Sequence, residues 1–260
     1  MSYLSIQTDT RGVTTITFNR PDNYNAMNRE FMDELTQALG ELPDNTRFVV
    51  IAGRGKHFCA GADINWMKQS AQLTFEQNHE DTMALSNMLQ TLDALPYPTI
   101  AKVHGAAFGG GTGIVCCCDI VVASEDAKFA FTEVRLGIVP ATISPYALAA
   151  IGARRARRYF LTGEKIDVLD AYRIGLVHDV CSTDNLNNRV EEKISALLYG
   201  GPAAQSAAKK LIVDVTGAKV DDKLREQLAS RLASTRTSDE AQEGLEAFLE
   251  KRTPNWIDGP

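Results

Sequence analysis

A run of glycines in the middle of the chain is the feature that most restricts how this sequence can fold. The run Gly109–Gly113, interrupted only by Thr112, follows the strand-like segment 99–104 and opens the apolar segment 114–118. Glycine leaves the backbone open to a ligand, and a helix N-terminus adds unpaired N–H groups and the positive end of its dipole. No Gly-Lys-Ser/Thr sequence ends the run, as it would in the common phosphate loop. The run therefore predicts a strand, a tight loop and a helix that together hold an oxyanion.

The overall composition is that of a folded, acidic protein. The 260 residues carry a formal charge of −6, and 44% of them are hydrophobic, which is enough to form the core of one large domain. A net negative charge argues against nucleic-acid binding. No apolar run reaches the roughly 18 residues of a membrane helix, and the first residues lack a secretory leader pattern. We therefore expect no nucleic-acid partner, no membrane partner and a cytoplasmic location.

The cysteines and histidines are not spaced as metal ligands. Three of the five cysteines are adjacent, at Cys116–Cys118, and cannot all find disulfide partners without strain. The four histidines show no grouping with them. We expect buried thiols in a reducing compartment, and no metal site.

Strand-like and helical segments alternate along the first two thirds of the chain. Strands are predicted at 12–18, 47–52, 99–104, 120–123 and 128–131, and helices from about Asn28, over 75–95 and after the glycine run. The recurring order of strand, loop and helix favours a layered α/β core built of ββα-like units.

The last part of the chain has a different pattern. From Val168 onward it is almost entirely helical, apart from a short strand near 177–180, and its amphipathic stretches are 186–198, 203–215, 220–233 and 239–248. We expect a core over residues 1–199 and a helical oligomerisation region over residues 200–260.

Five motifs together resemble the enoyl-CoA hydratase/isomerase (crotonase) family. They are Asn19-Arg20-Pro21 with Asn25-Ala26-Met27, then Phe58–Ile64, His104–Gly111, Cys118-Asp119-Ile120 and Phe131–Pro140. They occur in the family's order between about residue 10 and residue 165. The resemblance implies an α/β fold in which a spiral of ββα units precedes a C-terminal helical trimerisation region. It also implies an acyl-CoA substrate, no cofactor beyond the coenzyme A of that substrate, and assembly as a trimer or a dimer of trimers.

The resemblance also implies roles for particular residues. Glu133 matches a catalytic glutamate that transfers protons, and the backbone N–H groups of Ala62 and Gly110 match an oxyanion hole for the thioester enolate. The residues that match substrate- and CoA-binding positions are Asn25, Ala26, Ala60, Gly61, Asp63 and Ile64.

One residue departs from the family pattern. The family's hydratases have a second glutamate at the position of Gly113. A single carboxylate suits an isomerase, in which Glu133 takes a proton from Cα and returns it at Cγ. It also suits a hydratase in which Glu133 both holds the water and protonates Cα. A third interpretation is a relative that binds acyl-CoA but is impaired in catalysis.

A second resemblance favours hydration. The stretches 138–148 and 154–160 are similar to the methylglutaconyl-CoA and isohexenylglutaconyl-CoA hydratase branch, which implies a branched or carboxylated enoyl-CoA. The basic cluster Arg154–Arg158 has two interpretations. It is either a solvated or inter-subunit surface, or it lies near the CoA phosphates or a substrate carboxylate.

Overall fold

The structure, a computed structural model, describes residues 2–257. Its strands are β1 (Leu4–Thr8), β2 (Val13–Phe18), β3 (Phe48–Gly53), β4 (Thr99–Val103), β5 (Ala106–Phe108), β6 (Ile120–Ser124), β7 (Lys128–Ala130), β8 (Ile166–Asp167) and β9 (Asp179–Cys181). Its α-helices are α1 (Arg29–Gly40), α2 (Ile64–Ser70), α3 (Phe75–Asp93), α4 (Gly110–Cys117), α5 (Ser144–Thr162), α6 (Val168–Ile174), α7 (Leu186–Leu198), α8 (Pro202–Val215), α9 (Asp222–Arg236) and α10 (Asp239–Glu250).

The larger of two sheets forms the centre of the molecule. Its strand order is β1-β2-β3-β4-β6-β9, and every neighbouring pair is parallel except β1 with β2. The central strands are almost continuously apolar because both faces of the sheet are covered. One face packs on α1, α3, α4 and α5, and the other forms a smaller core with α7 through Leu186, Val190 and Ile194.

A smaller sheet lies beside the first and receives the second strand of each unit. Its order is β5-β7-β8, and Cys59 extends it by a bridge to Ala107. The chain passes from β4 to β5 through Gly105, which has a φ of +58°; a side chain there would collide with His57, since its Cβ would lie 2.6 Å from Nδ1. The ββα units predicted from the sequence are therefore present. In the unit β4-β5-α4 one strand lies in each sheet, whereas β1 and β2, which precede α1, both lie in the larger sheet.

Most predicted elements lie close to their observed positions. Asn28 caps α1 by accepting a hydrogen bond from the N–H of Phe31, and the four amphipathic stretches near the C-terminus are α7, α8, α9 and α10. The strand expected near 177–180 lies slightly later, at β9, because the N–H of Val177 still donates to Ala171 in α6, and the N–H of His178 makes the first hydrogen bond to β6, at Val121. Strands β1, β5 and β8 were not predicted. Within residues 2–257, no helix has the length and apolarity needed to cross a membrane.

Candidate active site

The glycine run forms a tight turn from β5 into helix α4. Gly109 has a φ of 52° and a ψ of −121°, and its N–H donates to the carbonyl of Ala130 at 2.8 Å. Gly111 lies directly against Cys59, because a Cβ on it would be 2.8 Å from that residue's carbonyl oxygen. The missing side chains therefore allow the start of α4 to approach the preceding segments of backbone.

The loop 58–63 lies beside this helix start. Cys59 pairs with β5, and Gly61, with a φ of +100°, brings its Cα so close to β5 that a Cβ would lie 3.2 Å from the carbonyl of Phe108. Ala62 forms a bridge with Met27, whose N–H donates to Gly61 O at 2.8 Å. The small residues of both loops are thus required by close backbone packing.

Two backbone donors at this junction have no protein acceptor. Within residues 2–257, the N–H groups of Ala62 and Gly110 donate to no backbone or side-chain atom. The residue that follows Ala62 differs in this respect, since Asp63 N–H donates to Met27 O at 2.7 Å. These are the two N–H groups that the family resemblance implies for an oxyanion hole; one belongs to the loop 58–63 and the other to the first residue of α4.

Glu133 brings a carboxylate to the same helix start. It begins a short 3-10 helix, Glu133–Leu136, where the sequence predicts only the end of a strand and a loop. Its Oε1 lies 3.4 Å from the position of a Cβ on Gly109, and its Oε2 is buried without a hydrogen-bond partner within residues 2–257. Burial raises the pKa of the Glu133 carboxyl above its ordinary value. A carboxylate with a raised pKa and a free oxygen is suited to accept and return a proton.

Apolar side chains pack on the first turn of helix α4. The methyl group of Met27 lies where a Cβ on Gly110 would be, and a Cβ on Gly113 would lie 2.5 Å from Ile143 Cγ2 and 3.6 Å from Leu89 Cδ2. Gly109 is the cap residue before α4, and Gly113 lies in the first turn of the helix. The carboxylate of Glu133 therefore lies at the N-terminal end of α4, and the methyl group of Ile143 covers Gly113 in the first turn.

Two of the predicted binding residues have side chains that hold the loops in place. Asn25 is fully buried; its Nδ2 donates to the carbonyls of Arg54 (2.9 Å) and His57 (2.8 Å), and its Oδ1 accepts from the N–H of Arg20. Asp63 caps α2 through the N–H of Asn65 and forms an ion pair with Arg20 at 3.3 Å. Their side chains therefore position the backbone of the loop 58–63.

The other predicted binding residues lie on or next to this loop. Ala26 and Ala60 are half-buried, Gly61 is buried, and Ile64, at the start of α2, is 69% exposed. Ile143 and Leu89 were not among the predicted site residues. No spacing in the sequence could have indicated them, because they reach Gly113 only through the packing of α5 and α3 on α4.

The cysteine next to this site, Cys59, is buried, and burial raises the pKa of its thiol to about 12. A thiol with such a pKa is protonated at neutral pH and unreactive. All five cysteines are free; Cys117 and Cys118 are also buried, as expected, whereas Cys116 and Cys181 are half-buried. Among the residues that the structure describes, no three His, Cys, Asp or Glu side chains come together in a group that could hold a metal ion.

The spiral of ββα units, with a glycine-rich helix start facing a second small-residue loop, defines the crotonase class of α/β proteins. A sequence model of the enoyl-CoA hydratase/isomerase family matches residues 8–259, and the chain belongs to that family. A structure of a crotonase-type enoyl-CoA hydratase/isomerase from Legionella pneumophila superposes with a TM-score of 0.94 at 40% identity, covering 98% of this chain and 99% of the other. Pseudomonas aeruginosa AtuE gives a TM-score of 0.94 at 35% identity, covering 98% of this chain and all of the other.

Curated relatives match along nearly the whole chain. A putative enoyl-CoA hydratase of Thermus thermophilus is 30% identical over 253 residues, which cover 96% of this chain and 100% of the relative. The 2,3-dehydroadipyl-CoA hydratase of Escherichia coli is 33% identical over 261 aligned positions, which cover 98% and 99% of the two chains. The chain is accordingly an enzyme of the enoyl-CoA hydratase type, a lyase.

Proposed function

We propose that this enzyme adds water across the α,β double bond of a branched or carboxylated enoyl-CoA, using Glu133 as its proton-transferring group. The observation that carries the proposal is the junction at the start of α4. There a buried carboxylate oxygen of Glu133 without a partner lies beside two loops whose N–H groups, those of Ala62 and Gly110, have no protein acceptor within residues 2–257.

In the proposed reaction, the thioester oxygen accepts hydrogen bonds from Ala62 and Gly110. Glu133 takes a proton from water as the water oxygen bonds to Cβ, and the electrons of the double bond move onto the thioester oxygen. The enolate is stabilised by the two N–H groups, which contribute about 3–4 kcal/mol each in comparable sites. Glu133 then returns the proton to Cα, and the carbonyl reforms. The reaction needs no cofactor other than the coenzyme A of the substrate.

The choice of substrate class rests on two similarities and on the apolar side chains that pack on helix α4. The stretches 138–148 and 154–160 resemble the methylglutaconyl-CoA hydratase branch, and the Escherichia coli relative is named for a dehydroadipyl-CoA, whose acyl group ends in a second carboxyl. The apolar contacts of Met27, Leu89 and Ile143 on helix α4 favour a branched hydrocarbon portion near the double bond.

A panel of enoyl-CoA thioesters tests the proposal directly. We expect loss of the conjugated-thioester absorbance with 3-methylglutaconyl-CoA or 2,3-dehydroadipyl-CoA, at higher kcat/KM than with crotonyl-CoA. Glu133→Gln should lower turnover roughly 10²- to 10⁴-fold while leaving binding of the CoA ester intact. The control is Glu125→Gln, an exposed glutamate away from α4. Near-normal turnover by Glu133→Gln would contradict the assignment.

Double-bond isomerisation is a second candidate, favoured by the packing of Ile143 over Gly113. Because Ile143 fills the space over Gly113, proton transfer at the start of α4 falls to Glu133. A single carboxylate is enough to move a proton from Cα to Cγ. A 3-enoyl-CoA would then gain conjugated absorbance faster than any 2-enoyl-CoA loses it. Binding of the esters without turnover of either kind would identify a catalytically impaired relative.

A further inference from the structure

A cleft between α5 and α6 gathers four arginine side chains that the reaction at Glu133 does not use. The cleft has a volume of about 470 Å³ and is lined by Arg154, Arg155, Arg157, Arg158, Tyr159, Leu161 and Ile174. Its volume is within the range of small-molecule sites. None of the residues placed at the candidate active site lines it.

Three of these four arginines lack a negative partner. Arg158 pairs with Glu164 at 2.7 Å, with its guanidinium 5.0 Å from the centre of the Tyr159 ring. No carboxylate within residues 2–257 lies within ion-pair distance of Arg154, Arg155 or Arg157. On α6, Asp170 pairs with Arg173 at 2.9 Å. Three arginine charges in the cleft therefore form no ion pair, although the charges of Glu164, Asp167 and Asp170 act on Tyr159 beside them.

The backbone makes this accumulation of charge more costly. Gly152 is non-helical, with a φ of 74° and a ψ of 154°, so the arginines lie at the beginning of the helical segment 153–162. Cations are unfavourable at a helix N-terminus, where the dipole is positive, and like charges three or four residues apart on a helix repel each other. The one hydrogen bond of Arg155 does not neutralise its charge, because the acceptor is the uncharged carbonyl of Ile151. An anion bound in the cleft would relieve both effects.

The charge and geometry point to a diphosphate. Each guanidinium presents a planar fork of donors that matches two phosphate oxygens. A terminal diphosphate carries about three negative charges near neutral pH, which matches the three arginines of the cleft that form no ion pair. Leu161, which is 71% exposed at the rim, offers an apolar surface for the organic part of such a ligand.

We propose that the cleft between α5 and α6 binds a small molecule with a diphosphate group, such as a nucleoside diphosphate, separately from the acyl-CoA substrate. Ile151, Ala156 and Tyr159 of α5 are buried, Tyr159 also lining the cleft, whereas all four arginines are exposed. The cleft and the start of α4 have no lining residue in common. The proposal does not depend on which enoyl-CoA the enzyme hydrates.

Calorimetric titration with ADP and with inorganic pyrophosphate tests the proposal on the full-length protein. We expect saturable binding of both, weakened at least tenfold in Arg154→Gln/Arg157→Gln. The matched control is Arg225→Gln/Arg236→Gln, which removes the same charge from exposed positions on α9 and should bind like the wild type. Absence of saturable binding by the wild type, or equal weakening in both double variants, would overturn the proposal.

Two further readouts distinguish a diphosphate site from a CoA site and from a subunit contact. The KM for the enoyl-CoA should be unchanged in Arg154→Gln/Arg157→Gln, and Glu133→Gln should still bind ADP. A raised KM at unchanged kcat would mean that the arginines hold the CoA of the substrate, and the proposal would be wrong. If Arg154→Gln/Arg157→Gln has a different molecular mass from the wild type in light scattering, and the wild type binds no ADP, the arginines form a subunit contact. That result would also reject the proposal.

Discussion

The side chain of Glu133 is a carboxylate in a partly buried position, and burial disfavours its negative charge. One of its carboxylate oxygens is buried without a partner within residues 2–257, and burial raises the pKa of the group. In the unfolded chain the same carboxyl has its ordinary pKa, so the native state binds more protons between the two values. The free energy of unfolding therefore falls as the pH rises through that interval. Such a cost at a single residue is typical of a group retained for function rather than stability.

The first prediction follows from this cost. Glu133→Gln removes a desolvated charge, so it should raise the melting temperature at pH 7.5 relative to the wild type. The difference should shrink below about pH 4, where the wild-type carboxyl is protonated in both states. Thermal unfolding across this pH range measures it, with Glu125→Gln as the exposed control. A variant less stable than the wild type at pH 7.5 would contradict the presence of an uncompensated buried charge.

The second prediction concerns the contact between Gly113 and Ile143. Because a Cβ at position 113 would lie 2.5 Å from Ile143 Cγ2, Gly113→Ala should cost about 1–3 kcal/mol of unfolding free energy through overpacking. Ile143→Ala alone should cost about 2–5 kcal/mol through a cavity. The double variant should be more stable than the sum of the two costs predicts, since each change relieves the other. Urea unfolding of all four proteins measures the coupling.

The control for this cycle is Gly40→Ala at the end of α1. A Cβ there meets no atom within 4 Å, and the change should leave stability within a few tenths of a kcal/mol or raise it slightly. Strict additivity of the two substitutions at 113 and 143 would mean that they do not contact each other.

The contact between Gly113 and Ile143 also predicts an effect on activity. Gly113→Glu should gain crotonyl-CoA hydration only when Ile143 is also shortened.

At the scale of elements, the loop 58–63 is held by two isolated bridges and by the side chain of Asn25 in the neighbouring loop. Asn25 is fully buried and connects two chain segments, its own through Arg20 and the segment before the loop through Arg54 and His57. Asn25→Ala should therefore leave buried backbone groups without partners, at about 1–3 kcal/mol each. It should also lower kcat, because the N–H of Ala62 loses its fixed position. Asn23→Ala, at an exposed neighbour, is the control; equal effects of both changes on kcat would argue against a positioning role.

The elements also differ in how far the sequence predicts them. Helix α1 could be placed because Asn28 caps it locally, and α3 because its apolar residues recur at helical spacing. Of the smaller sheet only β7 was predicted; its neighbours were beyond such patterns, since β5 has three residues, β8 has two and Cys59 joins by a single bridge. At the site, motif positions indicated Glu133, Ala62 and Gly110. The unpartnered oxygen of Glu133 and the cover over Gly113 could not be predicted, because both result from tertiary packing.

At the scale of the whole molecule, the C-terminal helices leave a large apolar surface uncovered. Helices α8 and α9 contain no buried residue, and α10 contains one, Ala247. Phe248 is 78% exposed and Leu249 is 70% exposed, whereas large apolar side chains on a monomer's surface are usually scattered singly. Ile212 and Val213 on α8 are 65% and 69% exposed. Such a surface is typical of an oligomer interface.

The last prediction is therefore that this chain self-associates through its C-terminal helices, as a trimer or a dimer of trimers. Phe248→Asp/Leu249→Asp should dissociate the assembly, because it places two charges in the expected interface, and it should leave the fold intact, since these side chains are largely exposed in the single chain. Light scattering after size exclusion gives the mass, and far-ultraviolet circular dichroism checks the fold. Ser195→Asp, at an exposed position on α7, should keep the wild-type mass. A wild-type protein that is monomeric at micromolar concentration would contradict the prediction, and would require another role for this apolar surface.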